Sequence, residues 1–387
     1  MRYTVICSVK DEGPFLVEWV SWQRLLGFTD IVIVSNGCTD HSPHLLDALA
    51  RAGWITHLVH EVPDGKHITG RKLAAAKSLE KVNNSDWLMV ADVDEFLVVH
   101  PGEGRLPDLL AAPGRPFLGM SIPWRIFGTS GRQHWEDGLT HRQCLRAGVA
   151  GGRLGGWLKS IHRRPDWFAR LGEHSPKRLR PRRLAQWGND GMIWVNPAGI
   201  EVPGWRPEED SLRILPESLR GWEVAQINHY MLRSAESFSL KRGTLSPVAG
   251  KNRYTDAYYD KAEQNAVEDR SALRHAAEFD QIHAQAMALP DVHRLHHLCC
   301  ADYVRRLAAR SGRDASADPR LARHLALAEE TKDERKRARQ VSPTRPVITI
   351  PKDHSEAASP DGAAMFAITK FRAIVGFTPF GRSTSLM

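Results

Sequence analysis

Three carboxylates fall within four residues in Asp92-Val93-Asp94-Glu95, directly after the apolar run Trp87 to Ala91. Like charges this close repel one another and lose hydration together, so a chain keeps them where a cation or water compensates. The preceding run has strand length and is β-rich, which predicts a buried strand that delivers the acids at its carboxyl end. Open α/β sheets hold their ligands at that end. A hard divalent ion, Mg²⁺ or Mn²⁺, suits such oxygens: it takes one or two of them and leaves its other positions to substrate phosphate and water. A solvated acidic turn after a strand is the plainer reading.

The elements that position this cluster are read from periodicity and breakers. Tyr3 to Val9 predicts a first strand, ending in the charged turn Lys10-Asp11-Glu12-Gly13-Pro14. Leu16 to Leu26 predicts a helix stopped by Gly27, and Asp30 to Ser35 a β-branched strand covered on both faces. Asn36 to Ser42 reads as a turn into a helix over 44–52, Thr56 to Val62 as a third strand, and Gly70 to Val82 as a helix feeding the central strand. This alternation predicts an α/β fold with a mainly parallel, doubly wound sheet. Further strands are expected at Leu118 to Phe127, Trp157 to Arg163 and Val224 to Tyr230, and a helix at Ser234 to Arg242. The basic, proline-broken stretch Ser175 to Arg183 is expected to be a loop. Beyond Thr255 the chain turns helical to about Arg310 and again from Pro319 to Arg339. The expected organisation is a catalytic domain over 1–245, a helical C-terminal region over 246–340 and a mobile tail over 341–387, with a short amphipathic helix at Met365 to Val375.

With 387 residues, 42% hydrophobic and 25% charged, the chain is long enough for one large or two modest domains with a real core. It has no apolar run of membrane-spanning length and its first residues read too short for a secretory signal, which points to the cytoplasm. Five scattered cysteines fit free thiols in a reducing compartment. A net charge of +8 favours acidic partners: phosphate-bearing substrates, nucleic acid or an anionic membrane face.

Several stretches, in order, resemble GT-A glycosyltransferases of the family 2 type, and more narrowly a bacterial branch related to family 92. They are Lys10-Asp11-Glu12 with Glu18-Trp19-Val20, Val34 to Asp40, Asp92-Val93-Asp94-Glu95-Phe96, Trp124 to Gly131, Lys159-Ser160-Ile161, Ile227-Asn228-His229-Tyr230 and Lys241-Arg242-Gly243. Gly37-Cys38 departs from the pattern, where Asn-Ser is usual. The resemblance spans roughly 3–243 and implies the GT-A fold of nucleotide-diphospho-sugar transferases, here with a helical C-terminal extension.

The resemblance also implies a chemistry. A sugar would move from a nucleotide-diphosphate sugar, a UDP-sugar being favoured, to a glycan, lipid-linked or other hydroxyl acceptor with inversion. Asp94, with Asp92 through water or ribose, would hold Mn²⁺ or Mg²⁺ against the diphosphate as Lewis acid and template. His229 would be a third ligand or a diphosphate contact; a strand histidine satisfied by a carbonyl is its bland counterpart. Glu12 and Asp40 are candidates for base and ribose, and Arg71 and Lys72 for phosphate at a helix start. Capping by Asp40 and a solvated helix face for Arg71 and Lys72 compete with these roles. General-base candidates are Glu136, Asp137, Glu173 and His174. Trp124, Trp135 and Trp157 could form a sugar-stacking wall, although tryptophans more often pack in cores.

Other constellations carry weaker readings. His293, His296 and His297 share a helical face near Cys299 and Cys300, a spacing compatible with a transition metal. No second ligand pair is evident, so a polar helix face is the reading taken. The basic run Lys332 to Arg339 could touch anionic lipid at the inner membrane face, where lipid-linked acceptors reside. The alternative to a transferase is a nucleic-acid- or polyanion-binding protein using the basic loop and tail; nucleic acid is not the expected partner. A haloacid-dehalogenase-type phosphatase ranks lower, since its motif opens the fold and Phe96 stands where Thr or Val belongs.

Overall fold

The computed structural model describes the backbone of residues 1–61, 68–149, 153–189, 191–208, 212–245 and 252–341 and, except for 153 and 331–341, their side chains. The expected tail and the side chains of the Lys332 to Arg339 run therefore lie outside the described residues. Residues 1–340 form one compact unit.

The N-terminal half alternates as the periodicity requires: β1 (Tyr3–Val9), α1 (Gly13–Leu26), β2 (Asp30–Ser35), α2 (Ser42–Arg51), β3 (Thr56–Val59), α3 (Ile68–Lys77) and β4 (Trp87–Val90). The strands β5 (Glu95–Val99), β6 (Gly119–Ile126), β7 (Leu158–Arg163) and β8 (Ala225–His229) complete the main sheet, with Trp194–Val195 as a short strand beside β6. The spatial order is β3-β2-β1-β4-β7-β6-β8-β5. Strands β1, β2, β3 and β4 are parallel, with Ile6 opposite both Val32 and Val90. β7 runs against β4 and β6, while β8 is parallel to β6 and antiparallel to β5. The expected α/β class, a mainly parallel doubly wound sheet with a helical C-terminal extension, is the fold observed.

Burial on both faces explains the continuous apolar runs. Val5, Cys7 and Val9 of β1 face the core under α1, and Ile6 between them faces the core under α3 with Leu73 and Ala76. In a strand, neighbours point to opposite faces, so every position in β1 must be apolar or paired. Apart from Arg24, α1 is buried all round. The helices α4 (Ala235–Lys241), α5 (Ala276–Met287), α6 (Val292–Arg310) and α7 (Pro319–Val341) supply the reason, because α5 and α6 pack on the side of α1 away from the sheet. The indoles Trp19 and Trp22 of α1 donate to the carbonyls of Glu95 and Leu97, at 3.2 and 2.9 Å, and so fix β5 under the helix. Among the described residues, no helix is long and apolar enough to cross a membrane. All five cysteines are free.

Three expectations change. The helix expected over 70–82 stops at Lys77 and resumes for one turn at Glu80–Asn83: Ser78 hydrogen-bonds back to the Ala75 carbonyl, and Leu79 is extended and packs beneath the sheet. The third strand ends at Val59, and the last residue of its expected span lies outside the described residues. The basic stretch is not all loop. Lys177–Leu179 pairs with Phe168–Arg170, and Pro181 opens a helical turn, a position where proline loses no hydrogen bond. Arg180 donates to the Asp166 carbonyl and Arg183 stacks over Trp167 at 4.2 Å, so part of that charge is spent within the fold.

Candidate active site

The sheet's polarity gathers the site. Because β5 and β7 run against their neighbours, their first residues share an edge with the last residues of β1, β4, β6 and β8. That edge therefore collects Lys10 to Glu12, Asp92 and Asp94, Glu95, Lys159, Trp124 to Ile126 and His229. Chain order reverses between β1 and β4, the switch point at which crevices form in such sheets.

A tight turn holds the acidic cluster. The Asp92 N–H donates to Glu95 Oε2 at 2.9 Å, and the Glu95 N–H to the Asp92 carbonyl at 3.0 Å. Lys159, fully buried, reaches Asp92 Oδ2 and Glu95 Oε2, each at 2.9 Å. Burial disfavours its charge, but the two carboxylates outweigh that and keep it protonated. One lysine is shared by two acids, and burial together with the Asp92 and Asp94 charges pushes Glu95 well above the usual carboxylate range. The Asp92 side chain is 44% exposed and so remains open to a ligand.

Asp94 has its own partners. Its Oδ2 lies 3.1 Å from Lys241 Nζ in α4, and its Oδ1 lies 3.5 Å from His229 Nε2. Burial by itself would raise its carboxyl, but Lys241, His229 and Arg233 hold it well below the ordinary value. His229 stands edge-on to Trp124 at 4.2 Å, and burial depresses its basicity against the pull of Asp94. Its Nδ1 lies 3.9 Å from Glu95 Oε1, and both atoms are buried with no hydrogen bond among the described residues. Asp94 and His229 suit a divalent ion, since adjacent ligands of an octahedral Mg²⁺ stand about 3 Å apart. Asp92 is turned instead to Lys159.

The end of β1 forms the other wall. Asp11 adopts a left-handed φ of 54° and accepts from the Thr39 N–H at 2.5 Å, tying the β1 turn to the turn after β2. Arg306 of α6 donates to the Asp11 carbonyl at 3.0 Å. Glu12 pairs with Arg233 at 2.9 Å, and the Arg233 guanidinium lies 3.5 Å over Phe15 with its Nε and Nη2 buried and without a hydrogen bond among the described residues. Lys72 is buried at the end of β1 with Nζ 3.5 Å from the Val9 carbonyl, and burial lowers its pKa. Arg71, the residue before it in α3, is exposed. Asp40 accepts from the Ser42 N–H and hydroxyl at 3.0 and 2.7 Å, the local turn that starts α2. Burial raises its carboxyl all the same.

The general-base candidates separate. Glu173 is half-buried; burial and the Asp92 charge raise its carboxyl while Lys159 and a hydrogen bond with Thr69 oppose them. His174 donates Nδ1–H to the Leu158 carbonyl at 2.9 Å, and burial beside Lys159 lowers its pKa to about 3, so it is neutral with Nε2 left as acceptor. Trp124 and Trp157 stack at 5.7 Å, and His174 lies against both rings. The other candidates leave this group. Glu136 is exposed and pairs with Arg132, as a loop acid in water does. Asp137 is held by His296 at 3.3 Å; burial would raise its carboxyl, but the surrounding histidines hold it well below the usual range, which makes it a poor proton acceptor. Trp135 is buried against Tyr303 and His324, so it is core and not sugar wall.

Lys159, Lys241 and Arg233 are the site residues to which sequence reasoning assigned no role. The first two stand in the quoted motifs, but a lysine at a strand or helix end gives no sign of burial. Arg233 follows β8 at a left-handed φ of 62°, invisible to periodicity.

No family model and no curated protein matches the chain. Among solved structures it is similar to S. aureus TarS 1–349 in complex with UDP-GlcNAc, with 11% identity, 86% of this chain and 92% of that chain covered, and a TM-score of 0.32. It is also similar to glucosyl-3-phosphoglycerate synthase from Mycobacterium tuberculosis in complex with Mn²⁺, UDP and phosphoglyceric acid, with 15% identity, 53% and 72% covered, and a TM-score of 0.27. Likenesses this distant leave the chemistry to be argued from the site itself.

Proposed function

We propose that the chain is a GT-A-type glycosyltransferase that moves a sugar, with inversion, from a nucleotide-diphosphate sugar to a hydroxyl acceptor. The observation that carries this reading is the gathering of charged side chains at the β1/β4 switch-point edge. Asp94 lies against His229 and Lys241, and Arg233 pairs with Glu12 at the end of β1, next to the Asp11–Thr39 turn.

The leaving diphosphate gains negative charge in the transition state, and pre-placed cations lower that barrier. Arg233 carries buried donors without hydrogen bonds among the described residues, and Lys72 is a buried lysine at the end of β1; these are the chain's own diphosphate contacts. A Mn²⁺ or Mg²⁺ held by Asp94 and His229 would supply further charge neutralisation when bound. Asp11, Glu12 and Asp40 bracket the nucleoside side. Glu173, beside the Trp124–Trp157–His174 wall, takes the proton of the acceptor hydroxyl. Its raised pKa suits it to accept a proton and release it afterwards.

Acceptors are glycans or lipid-linked saccharides at the cytoplasmic face of the membrane, with the catalytic part over 1–245 and the helices beyond it as its support. The test is release of nucleoside diphosphate from a panel of UDP-, GDP- and CMP-sugars with and without Mn²⁺. Release from one donor class supports the reading. No release from any, combined with tight salt-dependent binding of nucleic acid, supports the polyanion-binding alternative.

A further inference from the structure

Asp137, His297, Cys300 and His324 come from three separate pieces of chain: the loop after Trp135, α6 and α7. His297 and Cys300 are three residues apart on α6 and so share a face. One ligand-capable atom from each of the four lies within 4.8 Å of all the others. His297 Nδ1 and His324 Nδ1 are 3.2 Å apart, and His297 Nδ1 is 3.9 Å from Asp137 Oδ2. In a tetrahedral zinc site with Zn–N of about 2.0 Å and Zn–S of about 2.3 Å, ligand atoms stand roughly 3.3–3.8 Å apart. These two separations bracket that value, and the remaining pairs lie within 4.8 Å.

The chemistry of the donors selects the ion. A thiol and two imidazoles are too soft for Mg²⁺ and suit Zn²⁺, and a fourth protein ligand closes the shell. Cys300, His324 and His297 are 0%, 2% and 6% exposed and Asp137 is only partly so, which suits a structural rather than a catalytic ion. His296 supplies the outer support: its Nε2 lies 3.3 Å from the second Asp137 oxygen and would fix the carboxylate's orientation. Its own Nδ1 is buried without a hydrogen bond among the described residues. So dense a set of polar groups in a packed interface is costly unless something binds them together.

We propose that Asp137, His297, Cys300 and His324 form a structural zinc site that clamps α6 and α7 to the loop around Trp135. The Glu236 carboxylate reinforces the same junction, accepting from the Trp135 N–H at 2.9 Å and from Arg320 of α7 at 2.7 Å. α6 also carries Arg306, bonded to the Asp11 carbonyl, so the clamp steadies one wall of the crevice. The proposal does not depend on the transferase reading.

Metal content of the full-length chain, purified without an affinity tag or chelator, is the first readout, and about one zinc per chain is expected. Replacing it with Co²⁺ gives the visible bands of a tetrahedral ion together with a thiolate charge-transfer band. Cys300→Ser removes the charge-transfer band and Cys38→Ser keeps it. His324→Asn weakens zinc affinity at least about tenfold. Should these variants fail to fold, the wild-type cobalt spectrum still decides. A folded wild-type chain with neither bound zinc nor a tetrahedral cobalt spectrum overturns the proposal, as does a charge-transfer band that survives Cys300→Ser.

Discussion

Lys241 Nζ lies 3.1 Å from Asp94 Oδ2, while the other oxygen of that carboxylate faces His229. The acid most suited to a metal is thus already ionised by a neighbouring lysine. Lys241→Met removes the largest influence lowering the Asp94 carboxyl, so its pKa rises and the acid limb of the activity profile moves to higher pH. Transfer should fall about 10²-fold. Unchanged activity and an unmoved profile would show that Lys241 is only a solvated helix end.

Glu173 tests the acceptor side. Glu173→Gln should lower kcat by about 10²- to 10⁴-fold with little change in donor KM. A base works only when ionised, and burial raises this carboxyl, so wild-type activity should fall with acid above the ordinary carboxylate range, and the variant should lose that limb. A variant that keeps wild-type kcat would move the base elsewhere, with His174 Nε2 next in line.

Acid should destabilise the fold earlier than a carboxylate count implies. Burial lowers the pKa of both His162 and His174 to about 3, so the folded state keeps them neutral while the unfolded chain binds protons near 6.5. The unfolded state then binds more protons in this window. Stability present above pH 6.5 is therefore lost as pH falls towards 3, and the depressed Asp94 adds the same sign below the ordinary carboxylate value. Urea midpoints at pH 7 and pH 5 measure this: a lower midpoint at pH 5 is expected, with a smaller difference in His162→Gln. Equal midpoints would contradict the neutral buried histidines.

Trp19 joins α1 to the strand that opens with Glu95. Trp19→Ala should cost about 3–5 kcal/mol in denaturant unfolding, from the emptied volume and the lost bond to the Glu95 carbonyl. A loss under about 1 kcal/mol would mean that α5 and α6 collapse into the space.

The parts of the fold legible in the sequence are those whose signal is local. β1, β2 and β4 are apolar on both faces, and Gly27 ends α1 at a φ of 96°, so a run and a breaker suffice. β5 was hidden because Glu95 heads it and its partner β8 is remote in sequence; only pairing distinguishes Phe96 to Val99 from the tail of an acidic turn. The hairpin formed by Phe168–Arg170 and Lys177–Leu179 was concealed by the charge of its side chains.

In the site, the type and spacing of Asp92 and Asp94 after an apolar run marked them, whereas His229 was reached only through the family resemblance. Burial did the rest. Lys159 at 0% exposure and solvated Arg71 read alike as basic residues, and Asp137 and Glu136 are neighbours of one type sent to opposite fates by packing. The histidines of α6 lacked a second ligand pair in the sequence, because Asp137 and His324 reach them only through tertiary contact.

The central claim is a nucleotide-sugar donor site at the β1/β4 edge, organised by Asp94. Calorimetric titration of the wild-type chain and Asp94→Asn with UDP, GDP and CMP, each with and without Mn²⁺, addresses it directly. The account predicts that one nucleotide binds the wild type, that Mn²⁺ tightens it, and that Asp94→Asn, still folded by circular dichroism, loses the Mn²⁺-dependent part. No binding of any nucleotide to the wild type, or equal binding by the variant, would contradict it.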